Sequence, residues 1–143
     1  MIREYKKEDL TACAKVLKEA FSEDTWGCVW TRERAEEYIS DYACNPKFVG
    51  FVSENEGEID GAVLACRKVN WNADELYVDE LIVAPGKQRR GIGQQLIETL
   101  KSYCKENGLA GMVLYTAEEA PAKQFYSKNG FRVTEGVICM YWV

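Results

Sequence analysis

Apolar residues recur along this chain at two spacings, one typical of helices and the other of strands, and together they predict the secondary structure. The predicted helices span residues 9–22, 32–44, 91–106 and 119–129. In the first helix the apolar face consists of Leu10, Cys13, Ala14, Leu17 and Phe21. Thr31 is a favourable N-cap for the second helix, which Asn45-Pro46 terminates.

The remaining apolar stretches have the spacing and composition of strands. They span residues 2–5, 47–53, 61–69, 75–84, 112–116, 131–134 and 137–143. The Asn/Gly-containing acidic stretch 54–58 predicts an antiparallel hairpin. The strand–helix–strand unit over 75–116 should form a right-handed parallel crossover. The pattern therefore predicts a mixed α/β sheet with helices on its faces.

Length and composition are those of one ordinary globular domain. The chain has 143 residues, of which 47% are apolar and 29% charged, so we expect a single domain over 1–143. Its longest apolar run, Val137–Val143, is shorter than the ~20 residues that span a bilayer, and the first residues lack the apolar core of an export signal. We therefore expect a cytoplasmic protein without a membrane partner, whose six cysteines are mostly buried thiols.

Charge and the absence of histidine exclude several classes of function. The formal net charge is −5 and the pI is near 4.9, which argues against a nucleic-acid partner bound through a basic face. Without histidine there can be no Ser-His-Asp triad, Cys-His dyad or His-ligated zinc. We expect no metal, and a general base must be a carboxylate, a less usual residue or a water held by the backbone.

A basic, glycine-containing stretch between the long strand and its helix is the most informative part of the chain. Three cations fall within four positions of an otherwise acidic protein, namely Lys87, Arg89 and Arg90. Gly91 and Gly93 follow at the helix start, where backbone N–H groups are unsatisfied and the helix dipole is positive. Such a helix start suits a phosphate or pyrophosphate. Alternatively, the glycines only permit a tight turn and the cations are solvated.

The spacing of this stretch excludes two common phosphate loops. A P-loop needs Gly-Lys-Ser/Thr, whereas Gln94 follows Gly93, and the dinucleotide fingerprint needs a glycine where Leu96 stands. The segment that remains is Gln88, Arg89, Arg90, Gly91, Ile92 and Gly93. It resembles the acyl-CoA pyrophosphate loop of the GNAT superfamily of acetyl-CoA-dependent N-acetyltransferases.

A second motif supports this resemblance. Its residues are Ala122, Phe125, Tyr126, Gly130 and Phe131. Their spacing is similar to the A-x-x-F-Y-x-x-x-G-F signature of the superfamily, and the order of predicted elements fits along the whole chain. The resemblance implies a GNAT-like α/β (α+β) fold with a mixed, mostly antiparallel twisted sheet, helices on both faces and a central parallel crossover.

The resemblance also implies cofactor and catalytic roles. Acetyl-CoA, the acetyl donor, would bind at residues 88–93 and beside Phe125. The main-chain groups that would hold its pantetheine arm and thioester belong to Leu81, Ile82 and Val83. The Tyr126 hydroxyl would protonate the departing thiolate as general acid, since a phenol with an ordinary pKa of about 10 is protonated at pH 7.

A carboxylate is the natural base for an acceptor amine that arrives as ammonium. Strict alternation along the strand would place Asp79 on the face of Leu81 and Val83, and Glu80 on the opposite face. Asp79 matches the position of a carboxylate in superfamily members that modify polyamines or aminoglycosides, and Glu80 is the alternative. Either residue could instead be a solvated or ion-paired strand position.

The loop between the first two helices contains the candidate acceptor-binding residues Glu23, Asp24, Trp26 and Trp30. Carboxylates beside aromatic rings suit a cationic amine, although the tryptophans could equally anchor the loop in the core. We therefore expect direct acetyl transfer to a primary amine of a small cationic acceptor, aminoglycoside- or polyamine-like. A peptide or protein N-terminus, or a non-catalytic acyl-CoA-binding module, is the alternative. The last apolar strand, 137–143, could pair two copies in a homodimer.

Overall fold

A computed structural model describes residues 1–21 and 27–143 of the chain. The α-helices of these ranges are α1 (Leu10–Ala20), α2 (Arg32–Ala43), α3 (Ile92–Glu106) and α4 (Pro121–Lys128). The strands are β1 (Ile2–Glu4), β2 (Phe48–Asn55), β3 (Glu58–Lys68), β4 (Glu75–Val83) and β5 (Gly111–Val113). Short 3-10 turns, Lys7–Asp9 and Pro85–Lys87, precede α1 and α3. Within the described ranges, no helix combines the length and apolar character needed to cross a bilayer.

The described strands form a sheet in which each strand lies beside its neighbour in sequence, in the order β1-β2-β3-β4-β5. The first four strands are antiparallel to one another, with β2 and β3 forming a long hairpin. β5 runs parallel to β4, and α3 makes the crossover between them. The predicted mixed, mostly antiparallel sheet with a central parallel crossover is confirmed.

Helices cover both faces of the sheet, and each face has its own buried core. The core under α1 and α2 includes Cys13, Leu17, Ile39, Val52, Leu64 and Ile82. The core under α3 includes Val63, Leu76, Val78, Ile92, Leu96 and Leu100. Removing these apolar side chains from water is the main force that holds the helices on the sheet.

An extra residue in β4 interrupts the alternation of its side chains between the two faces of the sheet. Ala65 of β3 pairs with Val78, and the adjacent Leu64 pairs with Glu80, so Asp79 is left without a partner in this ladder of the described sheet. This is a β-bulge, a device that kinks a strand locally and is frequent beside active sites. As a result Val78 and Leu81 both pack under α3. The predicted alternation holds from Glu80 onwards and is interrupted at Asp79.

The parallel pairing of β4 with β5 is short. It joins residues 75–77 to 111–113, so β5 ends before the predicted Thr116. Beyond this point the β5-facing edge of β4 has no strand partner within the described ranges, while its other edge stays paired with β3 as far as Val83. The main chain of 78–83 is thus open along one edge, as expected for this strand.

The two strands predicted at 131–134 and 137–143 are wrong, because after α4 the described chain forms no further strand. Apolar composition favours a strand, but a strand also needs a neighbouring backbone with which to exchange hydrogen bonds. Beyond Phe131 the apolar side chains of this segment are exposed, Trp142 by 92% and Val143 by 98%. A homodimer formed through 137–143 stays a prediction.

A buried ion pair ties β1 to the turn before α1. Asp9 is only 5% exposed, and its carboxylate accepts hydrogen bonds from the Arg3 guanidinium at 2.8 and 2.9 Å. The Lys6 N–H donates a further bond to it at 2.7 Å. Arg3 also donates to Glu54 of β2. Hydrogen bonding to Arg3 lowers the pKa of Asp9 below its ordinary value, although burial acts in the opposite direction.

Replacing Arg3 with methionine should lower the free energy of unfolding by about 2–3 kcal/mol at pH 7, because it leaves the buried Asp9 carboxylate without its cation. Since the pKa of Asp9 is lower in the folded state than in the unfolded state, this stabilisation is complete above pH ~5 and is lost as the pH falls through the folded-state pKa. Urea unfolding followed by circular dichroism should therefore show a smaller difference near pH 3 than at pH 7.

The exposed pair between Arg34 and Glu37 of α2 supplies the control for this experiment. Arg34→Met should change the free energy of unfolding by less than about 1 kcal/mol, because solvent screens an exposed pair. Equal effects of R3M and R34M would contradict the structural role assigned to Arg3.

Candidate active site

The open edge of β4 borders a cleft that gathers the residues predicted for catalysis. The cleft has a volume of about 450 Å³ and lies between residues 78–81 of β4 and 114–117, which follow β5. Asp79, Glu80 and Tyr126 all line it, the first two from β4 and the last from α4. Titratable groups from two distant parts of the sequence thus meet beside the open edge of β4.

Tyr126 reaches the cleft between two other aromatic rings. Its ring centroid lies 5.3 Å from that of Phe125 and 5.4 Å from that of Phe131, both in edge-to-face arrangements that fix its orientation. Burial raises the pKa of Tyr126 to about 12, and the negative charge of Glu80 acts in the same direction. The phenol therefore keeps its proton throughout the neutral range.

Glu80 is the more strongly constrained of the two carboxylates. Its Oε1 accepts a hydrogen bond of 2.7 Å from the hydroxyl of Tyr38, which comes from α2. Burial raises the pKa of Glu80 above its ordinary value, and the charge of Asp79 adds to this, while the bond from Tyr38 opposes it. A carboxylate with a raised pKa, in a cleft, is suited to accept a proton near neutral pH.

Asp79 occupies the bulge and has different surroundings. Burial raises its pKa as well, and the Lys68 ammonium partly offsets that effect. Lys68 itself lies over the ring of Tyr77, with Nζ 4.2 Å from the ring centroid. Asp79 is therefore close to a cation held in place by an aromatic ring, whereas Glu80 faces a hydroxyl.

The basic loop after β4 adopts a conformation that leaves its donors available. Gly91, the N-cap of α3, has a φ of 81°, and Arg89 has a φ of 63°, both in the left-handed region. No side chain within 1–21 and 27–143 caps α3 at Gly91, so its first N–H groups have no capping partner among these residues. Arg89 and Arg90 are exposed, and neither joins an ion pair of the described residues.

The other predicted loop residues contribute in different ways. Gln88 turns back, and its Nε2 donates to the carbonyl of Val83 at 3.4 Å, which braces the loop against the end of β4. The Ile92 side chain is buried in the core under α3, so it can offer only its main chain. A Cβ at Gly93 would lie 3.2 Å from Cζ of Phe125, so the ring of Phe125 packs against the start of α3.

The predicted acceptor residues have mixed outcomes. Glu23, Asp24 and Trp26 lie outside the described residues. Trp30 packs its ring on Tyr38, with centroids 4.9 Å apart, and does not line the cleft formed by the described residues. Its contact with the cleft is therefore indirect, through the tyrosine that binds Glu80.

The sequence analysis missed residues that lie in or beside the cleft, among them Phe21 and Tyr38. Tyr38 bonds to Glu80, and Phe21, at the end of α1, lines the cleft. The sequence shows that Tyr38 and Tyr42 share a helix face, since they are four residues apart. It does not show which strand position this face meets, because that depends on how α2 packs on the sheet.

Three features along this edge of the sheet fit an acyl-CoA. The uncapped start of α3 and its neighbouring cations suit a pyrophosphate. The open edge of β4 offers main-chain groups to an extended arm containing amides, in the manner of an added strand. The cleft at Tyr126 can receive the thioester end. These features follow one another along β4 and the loop that succeeds it.

Comparisons with known proteins agree with this geometry. The family model for the acetyltransferase (GNAT) domain matches residues 46–133, more than half of the chain. Streptothricin acetyltransferase A of Bacillus subtilis (strain 168) is 28% identical over an alignment of 122 residues, and the match covers 78% of this chain and 68% of that protein.

Solved structures share the fold over the full length of the chain. A possible acetyltransferase from Clostridium difficile 630 superposes with a TM-score of 0.85 at 22% identity, covering 100% of this chain and 97% of the other. An aminoglycoside acetyltransferase from an uncultured soil metagenomic sample, in complex with sisomicin, gives a TM-score of 0.79 at 19% identity, with coverage of 100% and 95%. With its sheet, its helix-start loop and a matching family model, the chain belongs to the GNAT family and is an acetyl-transferring enzyme.

Proposed function

We propose that this enzyme transfers the acetyl group of acetyl-CoA directly to a primary amine of a small, cationic acceptor, aminoglycoside- or polyamine-like. The observation that carries the proposal is the meeting of Glu80 and Tyr126 in one cleft, at the open edge of β4. A proton acceptor and a proton donor on the same cleft are the two groups that amide formation from an ammonium and a thioester requires.

The donor is held by main chain and by loop cations. Arg89, Arg90 and the N–H groups at Gly91 and Gly93 would bind the pyrophosphate, and the main chain of 81–83 would bind the pantetheine arm. Bound there, acetyl-CoA supplies an acetyl group activated as a thioester. Holding two reactants side by side contributes up to roughly 7–11 kcal/mol to the lowering of a barrier, without a covalent enzyme intermediate.

The proton of the acceptor ammonium passes to a cleft carboxylate. Asp79 and Glu80 both line the cleft, and the contacts favour Glu80 because its carboxylate is fixed by Tyr38 and lies close enough to Tyr126 to raise that residue's pKa. Asp79, at the bulge, adds negative charge that attracts the ammonium and strengthens Glu80 as a proton acceptor.

Tyr126 acts on the leaving sulfur. Its raised pKa of about 12 lies above the ordinary value of about 8.5 for a thiol, so complete proton transfer to a thiolate is unfavourable. We therefore assign to the Tyr126 hydroxyl, the general acid predicted from the sequence, a hydrogen bond to the charge that develops on the leaving sulfur. The proton stays on Tyr126, and coenzyme A leaves as a thiolate that water protonates.

Three observations support a cationic acceptor. Two carboxylates line the cleft, the chain carries a net charge of −5, and the aromatic ring of Trp30 lies next to the Tyr38–Glu80 pair. By their names, a relative acts on streptothricin and a structural neighbour on aminoglycosides. Glu23, Asp24 and Trp26 remain part of the proposed acceptor site. A cytoplasmic location and a homodimer remain part of the proposal too.

Acetyl-CoA binding should depend on the loop cations and on the glycine at the helix start. Arg89→Ala and Gly91→Asp should each weaken acetyl-CoA binding about tenfold or more, since each removes favourable charge or adds repulsion at the anion site. Isothermal titration calorimetry measures the change. Lys105→Ala, which removes a cation from the opposite end of α3, is the matched control and should leave the affinity unchanged. Equal affinity in all three variants would refute the loop assignment.

Tyr126→Phe should lower kcat by roughly 100-fold while sparing acetyl-CoA affinity, because it removes only the hydroxyl that serves the leaving group. Since the protonated phenol is the active form and its pKa is about 12, wild-type kcat should show no alkaline decline caused by this group below pH ~11. Steady-state kinetics with a free-thiol readout, together with calorimetry, measure both. A parallel loss of kcat and of affinity would assign Tyr126 to binding instead.

A panel of amines in a free-thiol release assay tests the acceptor class. Polyamines and aminoglycosides should exceed a monoamine of similar length by about tenfold or more in kcat/KM, and the advantage should shrink as salt is added. Preference for a peptide with a free N-terminus would favour the N-terminal acetyltransferase alternative. Acetyl-CoA binding without turnover of any amine, even at high pH, would instead indicate a non-catalytic acyl-CoA-binding module.

A further inference from the structure

The contact between Tyr38 and Glu80 links α2 to the reaction cleft. The hydroxyl of Tyr38 lies 2.7 Å from Oε1 of Glu80 and donates to it, although the two residues are 42 positions apart in sequence. The other carboxylate oxygen of Glu80, Oε2, accepts no hydrogen bond from residues within the described ranges. One oxygen is therefore engaged by α2, and the second is left for a ligand in the cleft.

Packing fixes the position of the Tyr38 hydroxyl. The ring of Tyr38 lies between Trp30, at a centroid distance of 4.9 Å, and Tyr42, at 5.0 Å in an edge-to-face arrangement. The Tyr42 hydroxyl also donates to that of Tyr38 at 3.4 Å. All three rings pack against the core under α1 and α2. Ring packing thus fixes the Tyr38 hydroxyl, and the hydrogen bond from this hydroxyl fixes the Glu80 carboxylate.

Three titratable groups interact with Glu80 in the described structure, and Tyr115 and Cys139 also line its cleft. Tyr38 approaches from α2, Asp79 adjoins it on β4, and Tyr126 faces it from α4. Tyr126 lies on the cleft side, whereas Tyr38 donates from α2. Asp79 and burial both disfavour a charge on Glu80, and Tyr38 is the neighbour whose hydrogen bond favours it.

We propose that Tyr38 is a positioning residue, which orients the Glu80 carboxylate with Oε2 towards the acceptor amine and keeps it ionised, so that Glu80 and not Asp79 receives the ammonium proton. This inference rests on the proposed function. In the step itself the nitrogen–hydrogen bond of the ammonium breaks, its electron pair stays on nitrogen, and the proton forms a bond with Oε2. The Tyr38 proton stays on Tyr38, whose own pKa is raised by burial and by these hydrogen bonds.

Tyr38→Phe tests the inference, because it keeps the ring against Trp30 and Tyr42 and removes only the hydroxyl. Losing a hydrogen bond to the ionised form should raise the pKa of Glu80 by about one unit. Carbon-13 NMR titration of the carboxylates, assigned with Glu80→Gln, measures this without any turnover. Tyr103→Phe, which removes a hydroxyl from α3 on the opposite face of the sheet, is the matched control and should leave the titration of Glu80 unchanged.

The acid limb of the kcat/KM pH profile should move to higher pH, as the pKa of Glu80 does. The ionised carboxylate is the active form, so the acid limb of Tyr38→Phe should shift by about one unit to higher pH. At a pH below the limb, kcat/KM should be roughly tenfold lower than in the wild type, and at a pH above it the two proteins should have the same kcat/KM. Affinity for acetyl-CoA should not change. A residue with only a structural role would lower the melting temperature without moving the limb, and circular dichroism melts record that effect separately.

Each result decides a different claim. An unchanged Glu80 titration in Tyr38→Phe overturns the inference, and so does a shifted titration with an unmoved acid limb, since Glu80 would then not be the proton acceptor. Both outcomes leave acetyl transfer by the wild type intact. Absence of turnover by the wild type on every amine defeats the proposed function itself, whatever the NMR titration of Glu80 shows.

Discussion

The site depends on the point where β4 loses its parallel neighbour. β5 pairs with residues 75–77, and beyond them one edge of β4 is open while the other remains bonded to β3. Where two neighbouring strands separate within a sheet, a cleft opens between them. Their backbone N–H and C=O groups then become available to a ligand. The bulge at Asp79 lies at this point, and it sets Glu80 on the face where α2 can reach it.

Charge is distributed unevenly around that opening. The exposed cations of the loop lie at one end of the open edge, next to the positive end of α3, and the carboxylates of Asp79 and Glu80 lie in the cleft. This separation of charge supports the proposal that an anionic cofactor and a cationic acceptor bind at different places. Burial of the carboxylates raises their pKa values towards neutrality, and the hydrogen bond from Tyr38 limits that rise for Glu80.

Much of this arrangement follows from local sequence signals. Apolar spacing predicts the helices and most of the strands, and the glycines beside cations mark the start of α3, where anion binding is proposed. The bulge could not be predicted, since it depends on how β4 registers against β3. The bond from Tyr38 to Glu80 depends on how α2 packs. The segment 131–143 has the composition of a strand, yet in the described structure it forms no strand and is mostly exposed. Composition shows that a segment is compatible with a strand but does not determine whether it pairs with an edge.

One contact joins the two halves of the site mechanically. Gly93 lies in the first turn of α3, and its missing side chain leaves room for Phe125, the residue that precedes Tyr126. A Cβ at residue 93 would come within 3.2 Å of the Phe125 ring, so that ring would have to yield by a few tenths of an ångström. Added bulk in the first turn of α3 is therefore transmitted through one van der Waals contact to the helix that carries Tyr126.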